Sequence, residues 1–421
     1  MADVPLGIYL SIPFCPSKCT YCNFASDVVR QPAAARQATY EAYVSRLCAE
    51  MAAAESTAAR LGGAFSREVD SVYLGGGTPS VLNPAQLERL FAALRREFTL
   101  TPESEITVEC APGTLTPEVL ETLLRCGVNR LSLGVQSFVD REIRAVGRLH
   151  SCAIASDDIA RLRAAGMENF NLDLIAGLPH QTPASWRISL QQALALGAPH
   201  VSVYMLEVDA DSRLGREVMA GGTRYHAGFV PDEELISDLY LEACDRLNAA
   251  GVAQYEISNF ARPAYASRHN LKYWTRQPYL GFGLDAHSFL PAARGFLPQE
   301  EEPGPVSASR EPTRDADSDL DAVRFANPDS LESYLAGAPV MRTPVSRLAA
   351  REECFFLGLR LNHGVELEAI AQQYGTDYAL DGTIEELRRL QLLDYDPQRH
   401  AIRLTSKGRL LANEVFERFL A

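Results

Sequence analysis

Between residue 7 and about residue 210, the sequence alternates six times between a short β-rich run and a helical pattern. The strand candidates are GIYLSIPF (7–14), SVYLGGG (71–77), EITVECA (105–111), RLSLGVQS (130–137), NFNLDLIAGLP (169–179) and HVSVYMLEV (200–208). Amphipathic stretches lie between them, among them NPAQLERLFAALRREF (83–98) and TPEVLETLLRCG (116–127). The second of these opens with Thr116 as a cap and Pro117 in the first turn, and Gly127 closes it. PDEELISDLYLEACDRLNAAG (231–251) repeats the logic with Asp232 and Gly251. Strand, helix, strand in repetition means parallel pairing through helical crossovers. An eight-fold barrel and an open doubly wound sheet both accommodate such a pattern, and six legible repeats favour a partial barrel. In either architecture the chemistry belongs at the C-terminal ends of the strands. The unusual residues of this chain cluster there.

At 421 residues the chain is long enough for two or three domains. We expect a barrel with its extension over residues 1–290, an acidic insertion over 291–321 and a smaller C-terminal domain over 322–421. The insertion contains PQEEEPGPVSASREPTRDADSDL (298–320), rich in Pro, Ser, Glu and Asp with almost nothing to bury, and reads as disordered. Near the C-terminus, a helix, a short strand (392–395), a turn at Asp396-Pro397, a strand (401–404) and a helix form an α+β winged-helix-like pattern. Such units often bind DNA. The net charge of −14 and the lack of a basic recognition helix point here to a docking or structural role and away from nucleic acid. No run of about 18 apolar residues predicts a membrane span, and the N-terminal residues do not read as a signal peptide. Six of the nine cysteines are scattered, as expected for a reducing, cytoplasmic compartment.

The other three, Cys15, Cys19 and Cys22, fall within IPFCPSKCTYCNF (12–24). Spacings of four and three also describe a helical stripe, but Pro13 and Pro16 flank Cys15 and a strand precedes it, so the segment is a loop at a strand's C-terminal end. Structural zinc sites usually take four ligands in two pairs, and no second pair with that spacing is nearby. A disulfide would leave one thiol over. Three thiolates on one loop suit a four-iron, four-sulfur (4Fe–4S) cluster with one iron left unligated by protein.

YLGGGTPS (73–80) follows the second strand. A tight turn explains one or two of its glycines, whereas Gly75, Gly76 and Gly77 with Thr78 and Pro79 suit close backbone approach to a ligand. Glu109, Gln136 and Asp173 punctuate otherwise apolar strands, and Arg148 lies in VGRLH. Each alone could be a buried ion pair. Together, at or near the strand ends of one sheet, they suit a shared ligand, the carboxylates for ribose hydroxyls and the arginine for a carboxylate.

The C-x3-C-x2-C loop, with Tyr21 before its last cysteine, resembles the signature of the radical S-adenosylmethionine (SAM) superfamily. The resemblance implies a partial (β/α)6 barrel and a 4Fe–4S cluster whose open iron chelates S-adenosylmethionine and whose electron generates a 5′-deoxyadenosyl radical. YLSIPFC, YLGGGTPS, RLSLGVQSF, GRLH, NLDLIAGLP and VSVYMLE together resemble the oxygen-independent coproporphyrinogen III oxidase group over roughly residues 5–290, and more weakly through FFLGLRLNHGV (355–365). By this match Tyr9, Tyr21, Gly76, Gly77, Thr78, Glu109, Gln136, Arg148 and Asp173 fall at cofactor-binding positions. The oxidases carry a fourth cysteine two residues after the third and an N-terminal extension. Here Phe24 takes the cysteine's place and 14 residues precede Cys15, which resembles the haem chaperones of the HemW group.

RHNLKYW (268–274) matches that group's H-N-x-x-Y-W haem motif at His269, Asn270, Tyr273 and Trp274. An imidazole can ligate haem iron, aromatic rings can stack on the macrocycle, and Arg268, Lys272 and Arg276 could meet the propionates. The alternative is a turn whose aromatic residues anchor to the barrel, with His269 merely hydrogen-bonded. The resemblance thus implies a haem chaperone that uses haem, acceptor haem proteins and a low-potential electron donor as partners. A peripheral membrane contact and a homodimer stay open. The alternative function is coproporphyrinogen III oxidation in porphyrin biosynthesis, and a more distant one is another radical reaction such as methyl transfer.

Overall fold

The structure is a computed structural model and describes residues 4–293, 295–296, 319–375 and 379–420. Six strands, β1 (Leu6–Ile12), β2 (Glu68–Gly76), β3 (Thr99–Cys110), β4 (Arg130–Gln136), β5 (Phe170–Ala176) and β6 (His200–Met205), lie side by side in chain order, and every neighbouring pair is parallel. A doubly wound sheet reverses its strand order at a switch point. None occurs here, so the sheet winds one way round, as a partial barrel does. The helices fall where the capping signals put them. Asn83 and Gln86 form a reciprocal capping box at the start of Pro84–Glu97, Thr116 caps Pro117–Arg125, and Asp232 caps Glu233–Ala249.

The period of two along each strand separates two environments. Leu6, Ile8, Leu10 and Ile12 of β1, Val72 and Leu74 of β2, and Leu131, Leu133 and Val135 of β4 are fully buried in the main hydrophobic core. The alternate positions carry polar side chains. Tyr9 stands opposite Tyr73, Tyr73 opposite Thr107, and Thr107 opposite Arg130. One step further along, Ser132, Asn171 and His200 are in register. A barrel interior of this kind is filled by polar groups that must satisfy one another.

Six further strands extend both edges. β8 (Asn259–Ala261) pairs antiparallel with β6, and β7 (Ala253–Gln254) pairs antiparallel with β8 at the edge. On the other side β9 (Tyr279–Phe282) runs parallel to β1, and β10 (His287–Pro291), β11 (Leu320–Ala326) and β12 (Met341–Ser346) continue antiparallel. The sheet therefore continues across the boundary expected at residue 322, because β11 pairs with β10 from before the acidic stretch. That stretch, 298–320, falls outside the described residues apart from its last two positions. The C-terminal unit holds a three-stranded antiparallel sheet of β13 (Val365–Glu366), β14 (Leu393–Asp396) and β15 (Ala401–Leu404), in the order β13-β15-β14. Its own core centres on Phe355 and Phe419, whose rings stack at 4.8 Å. No helix among the described residues is long and apolar enough to cross a membrane.

The end of β1, where the cysteine loop departs, is tied down by Tyr43. This fully buried hydroxyl donates to the Ser11 carbonyl at 2.7 Å and accepts from the Leu284 N–H at 2.8 Å. Tyr43→Phe would leave both backbone groups without their partner inside the core. It should destabilise the chain by about 1–3 kcal/mol, read as a lower urea midpoint at unchanged slope.

Candidate functional site

The cysteine loop leaves the C-terminal end of β1 and is held on all sides by backbone bonds. The Gly77 and Thr78 N–H groups donate to the Ile12 and Phe14 carbonyls at 2.9 and 2.8 Å, and Cys15 and Asp27 close the loop base. A Cβ on Gly77 would stand 2.7 Å from the Ile12 oxygen and 2.8 Å from the Phe14 oxygen, so only glycine permits this approach. Thr20 donates to the Val146 carbonyl and accepts from the Leu214 N–H, and Lys18 Nζ donates to the Phe24 and Ser26 carbonyls. The sequence suggested close backbone approach to a ligand at the glycines, which would leave their backbone donors free. The structure instead spends those of Gly77 and Thr78 on the cysteine loop, and turns the Gly76 N–H to Glu109.

Cys15, Cys19 and Cys22 are unpaired and line one cavity of about 720 Å³ that opens at this end of the barrel. Thr78 Oγ1 donates to Cys15 Sγ at 3.6 Å. Burial raises the Cys15 thiol pKa and the Thr78 hydroxyl opposes the shift. Among the described residues, no three His, Cys, Asp or Glu side chains converge on a single-ion site. A cluster takes one thiolate at each of three separate irons, so it needs a lining of this kind.

Tyr9, Tyr21, Gly76, Gly77, Thr78, Glu109, Gln136, Arg148 and Asp173 all line the same cavity. Glu109 accepts from Tyr73 OH at 2.8 Å. Burial, reinforced by the nearby Asp173, pushes the Glu109 carboxyl up to about 7. Asp173 is raised by burial too, against hydrogen bonds from Asn171 and Ser132 at 2.7 and 3.1 Å. Burial works against the Arg148 charge, but Tyr21, Cys19 and Asp173 outweigh it and raise its pKa. Its Nε is buried without a partner, as is Nε of Arg130, a side chain that reaches the cavity from within β4. Two guanidinium nitrogens left unsatisfied in one cavity suit an anionic group of a ligand.

Sequence reading overlooked Arg130 and the glycine that admits its neighbour. A Cβ on Gly134 would lie 2.7 Å from an Arg148 guanidinium nitrogen and 2.9 Å from Gln136 Nε2. Gln136 itself takes a left-handed φ of 68°, at a register shift between β4 and β5. Both features come from an irregular strand, which periodicity alone does not reveal.

The helix Arg268–Trp274 lies towards the opposite, N-terminal side of the strands. Glu105 Oε1 accepts from the Arg268 and His269 N–H groups, and Ser71 Oγ stands 3.1 Å from His269 Nδ1. His269 Nε2 lies 2.8 Å from Tyr273 OH. With 1% exposure and both ring nitrogens partnered, His269 forms the barrel floor, and burial lowers its pKa to about 3. Tyr273 stacks edge-on against His269 and Tyr279. Trp274 carries the Arg360 guanidinium 4.3 Å over its ring. Of the four motif residues only Asn270 reaches the cavity. The nearby cations are engaged as well. Buried Lys272 pairs with Asp70 at 2.8 Å, Arg276 with Glu353 and Asp321 at 2.8 and 3.1 Å, and Arg268 donates to the Glu103 carbonyl. The arrangement is the hydrogen-bonded anchor weighed against haem ligation above.

The Radical SAM superfamily model matches residues 9–193, which hold the end of β1, the cysteine loop and strands β2 to β5, and the HemN C-terminal domain model matches residues 345–411. The heme chaperone HemW of Lactococcus lactis is 33% identical over 427 residues, 100% of this chain and 98% of that protein. The heme chaperone HemW of Bacillus subtilis is 34% identical over 419 residues, 98% of each. Among solved structures, the coproporphyrinogen III oxidase HemN from Escherichia coli superposes with a TM-score of 0.78 at 24% identity, covering 100% of this chain and 91% of that one, which shows the shared fold. With about a third of its residues shared along the full length of such relatives, the chain belongs to the HemW family within the radical SAM superfamily.

Proposed function

We propose that this chain binds haem and passes it to acceptor haem proteins, on a scaffold that holds a 4Fe–4S cluster and S-adenosylmethionine. The observation that carries the haem reading over oxidase chemistry is Phe24. It stands 66% exposed at the rim of the cavity, where the oxidase pattern has a further cysteine. The names of the full-length relatives agree with it. Cys15, Cys19 and Cys22 would hold the cluster. Arg148, with Arg130 beneath it, would meet the carboxylate of S-adenosylmethionine. Glu109 and Asp173 would accept its hydroxyl or ammonium protons, and Gly76, Gly77 and Thr78 would let it approach the strand ends between Tyr9, Tyr21 and Gln136. When bound, the cluster supplies a single electron at low potential. The floor residues His269, Tyr273 and Trp274 would hold the lumen in shape, and Asn270 would face the ligand from below.

Three outcomes are expected. Anaerobically reconstituted protein should carry about four irons and four sulfides per chain. Cys15→Ala, Cys19→Ala and Cys22→Ala combined should remove them, whereas replacing Cys48, Cys110, Cys126, Cys152, Cys244 or Cys354 singly should not. Full iron content in the triple variant would sink the cluster assignment.

The second outcome follows from Glu109. A cationic ligand favours the ionised carboxylate, and in the free site this group changes protonation near pH 7. At pH 6 it must give up a proton on binding and at pH 8 it need not, so affinity rises with pH. Calorimetric titration with S-adenosylmethionine should show an increase of about tenfold from pH 6 to pH 8. Glu109→Gln should flatten that slope.

The third outcome separates chaperone from oxidase. The protein should take up about one haem per chain in a saturable Soret titration. It should give no protoporphyrinogen from coproporphyrinogen III under strict anaerobiosis with a low-potential reductant. Turnover without specific haem uptake would reverse the assignment.

A further inference from the structure

Beside the cavity, the C-terminal face of the barrel carries a second group of side chains. The segment after β5 presents His180, and the turn Arg224–Phe229 presents Tyr225, His226 and Phe229. Arg141 Nη2 stands 3.0 Å from His180 Nδ1, and His180 Nε2 stands 3.1 Å from His226 Nδ1. A guanidinium can only donate, so His180 Nδ1 accepts and its proton sits on Nε2. That proton is donated to His226 Nδ1, which places the proton of the second imidazole on Nε2. His226 is exposed, and its Nε2–H has no partner among the described residues. The chain of bonds therefore ends in an outward donor and offers no lone pair for a metal.

The surroundings are apolar and cationic. The Phe229 ring lies 4.1 Å from His180 and is 58% exposed. Arg213 and Arg224 both stand 5.4 Å from the Tyr225 ring centroid. Two carboxylates on the adjoining helices Asp140–Ala145 and Arg213–Met219 are engaged elsewhere. Glu142 accepts from Ser137 at 2.6 Å inside the core, and Glu217 accepts from the Arg224 N–H at 3.0 Å. His180, Tyr225 and His226 all hold left-handed φ angles, of 69°, 55° and 61°, a strain that bulky residues keep only where the surroundings impose it. The other exposed imidazoles lack this company. His287 sits by Asp285 at 3.9 Å, His363 by its own neighbour's carbonyl, and His400 by Tyr395.

We propose that this patch binds the carboxylate arms of a flat, apolar tetrapyrrole, with His226 Nε2–H as donor, Arg141 and Arg224 as cations and Phe229 against the ring edge. The assignment rests on the haem reading above and adds where the propionates go. It also places the iron's ligand elsewhere. The adjoining helix Arg213–Met219, whose Arg213 stands over Tyr225, touches the cluster loop, since Arg213 donates to the Lys18 carbonyl and Leu214 to that of Thr20. A tetrapyrrole held here would thus lie against the elements that fix the cysteines.

The test is to titrate the full reconstituted chain with haem, with metal-free protoporphyrin IX and with haem dimethyl ester, whose propionates carry no charge. Wild type should bind the two free acids about a hundredfold more tightly than the ester. His226→Ala and Arg141→Met should each lose about tenfold for the acids and nothing for the ester. His226→Gln, which keeps an N–H at the same reach, should recover most of the loss. Equal affinity of wild type for acid and ester would overturn the patch and leave the haem reading standing. So would unchanged acid binding in His226→Ala, or a change in its iron spectrum, which would make His226 a ligand. Absence of any saturable haem binding by wild type would overturn both.

Discussion

The cysteine loop can sit where it does because residue 77 has no side chain. The Gly77 and Thr78 N–H groups bond to the carbonyls on either side of Pro13, and a Cβ at Gly77 would stand inside the contact distance of both oxygens. This junction welds the loop to the end of β2, so the three thiols face the cavity from a fixed base. Everything else at the mouth leans on it. Thr78 reaches Cys15, the Val146 and Leu214 segments grip Thr20, and Tyr43 anchors the strand end from behind. A loop positioned by a rigid scaffold is the usual carrier of function, and here the rigidity comes from backbone hydrogen bonds and a missing methyl group.

The second constraint is the polar interior. Leucine, isoleucine and valine face the helices and serine, asparagine, tyrosine and charged residues face in, so the lumen has to be satisfied internally. It nearly is. Asn171 alone bonds to Ser132 and Asp173 and accepts from Ser202, with His200 Nδ1 against it at 2.7 Å. What is left over is informative. Arg130 and Arg148 each keep a buried nitrogen without a partner, while Glu109 and Asp173 are pushed towards their neutral forms by burial. A charged ligand with both a carboxylate and cationic groups relieves both sets at once, since it pairs the guanidinium groups and favours the ionised carboxylates.

Much of this was legible in the sequence because it is local. Strand period, helix caps and the proline-flanked cysteines depend on neighbours a few residues away, and β1 to β6 overlap the runs expected for them, β3 starting six residues earlier than its run. The strand β13, two residues long, left no pattern to find. Gly134 was invisible for a different reason, since the group it makes room for, Arg148, arrives from another segment. The role of RHNLKYW was hidden by distance. Its partners Ser71 and Glu105 are 198 and 164 residues away, and only the folded barrel brings them to His269. A resemblance names such a motif without saying which way its side chains point.

The floor position of His269 changes how its substitution has to be read. Its ring lies 5.5 Å from Tyr73, whose hydroxyl donates to Glu109, and its two nitrogens hold Ser71 and Tyr273. Removing the imidazole opens a buried hole and leaves two hydroxyls without partners, at a cost of several kcal/mol by the combined cavity and hydrogen-bond terms, roughly 2–5. The helix also carries Trp274 beneath Arg360 and leads into Arg276 against Glu353, so the disturbance reaches the C-terminal unit. Weaker haem binding in a His269 variant therefore follows from a collapsed floor as directly as from a lost axial nitrogen. Only the iron's own spectrum separates the two. A lost ligand changes the ligand field of the haem that remains bound, and a loosened floor lowers the bound fraction while leaving that field as it was.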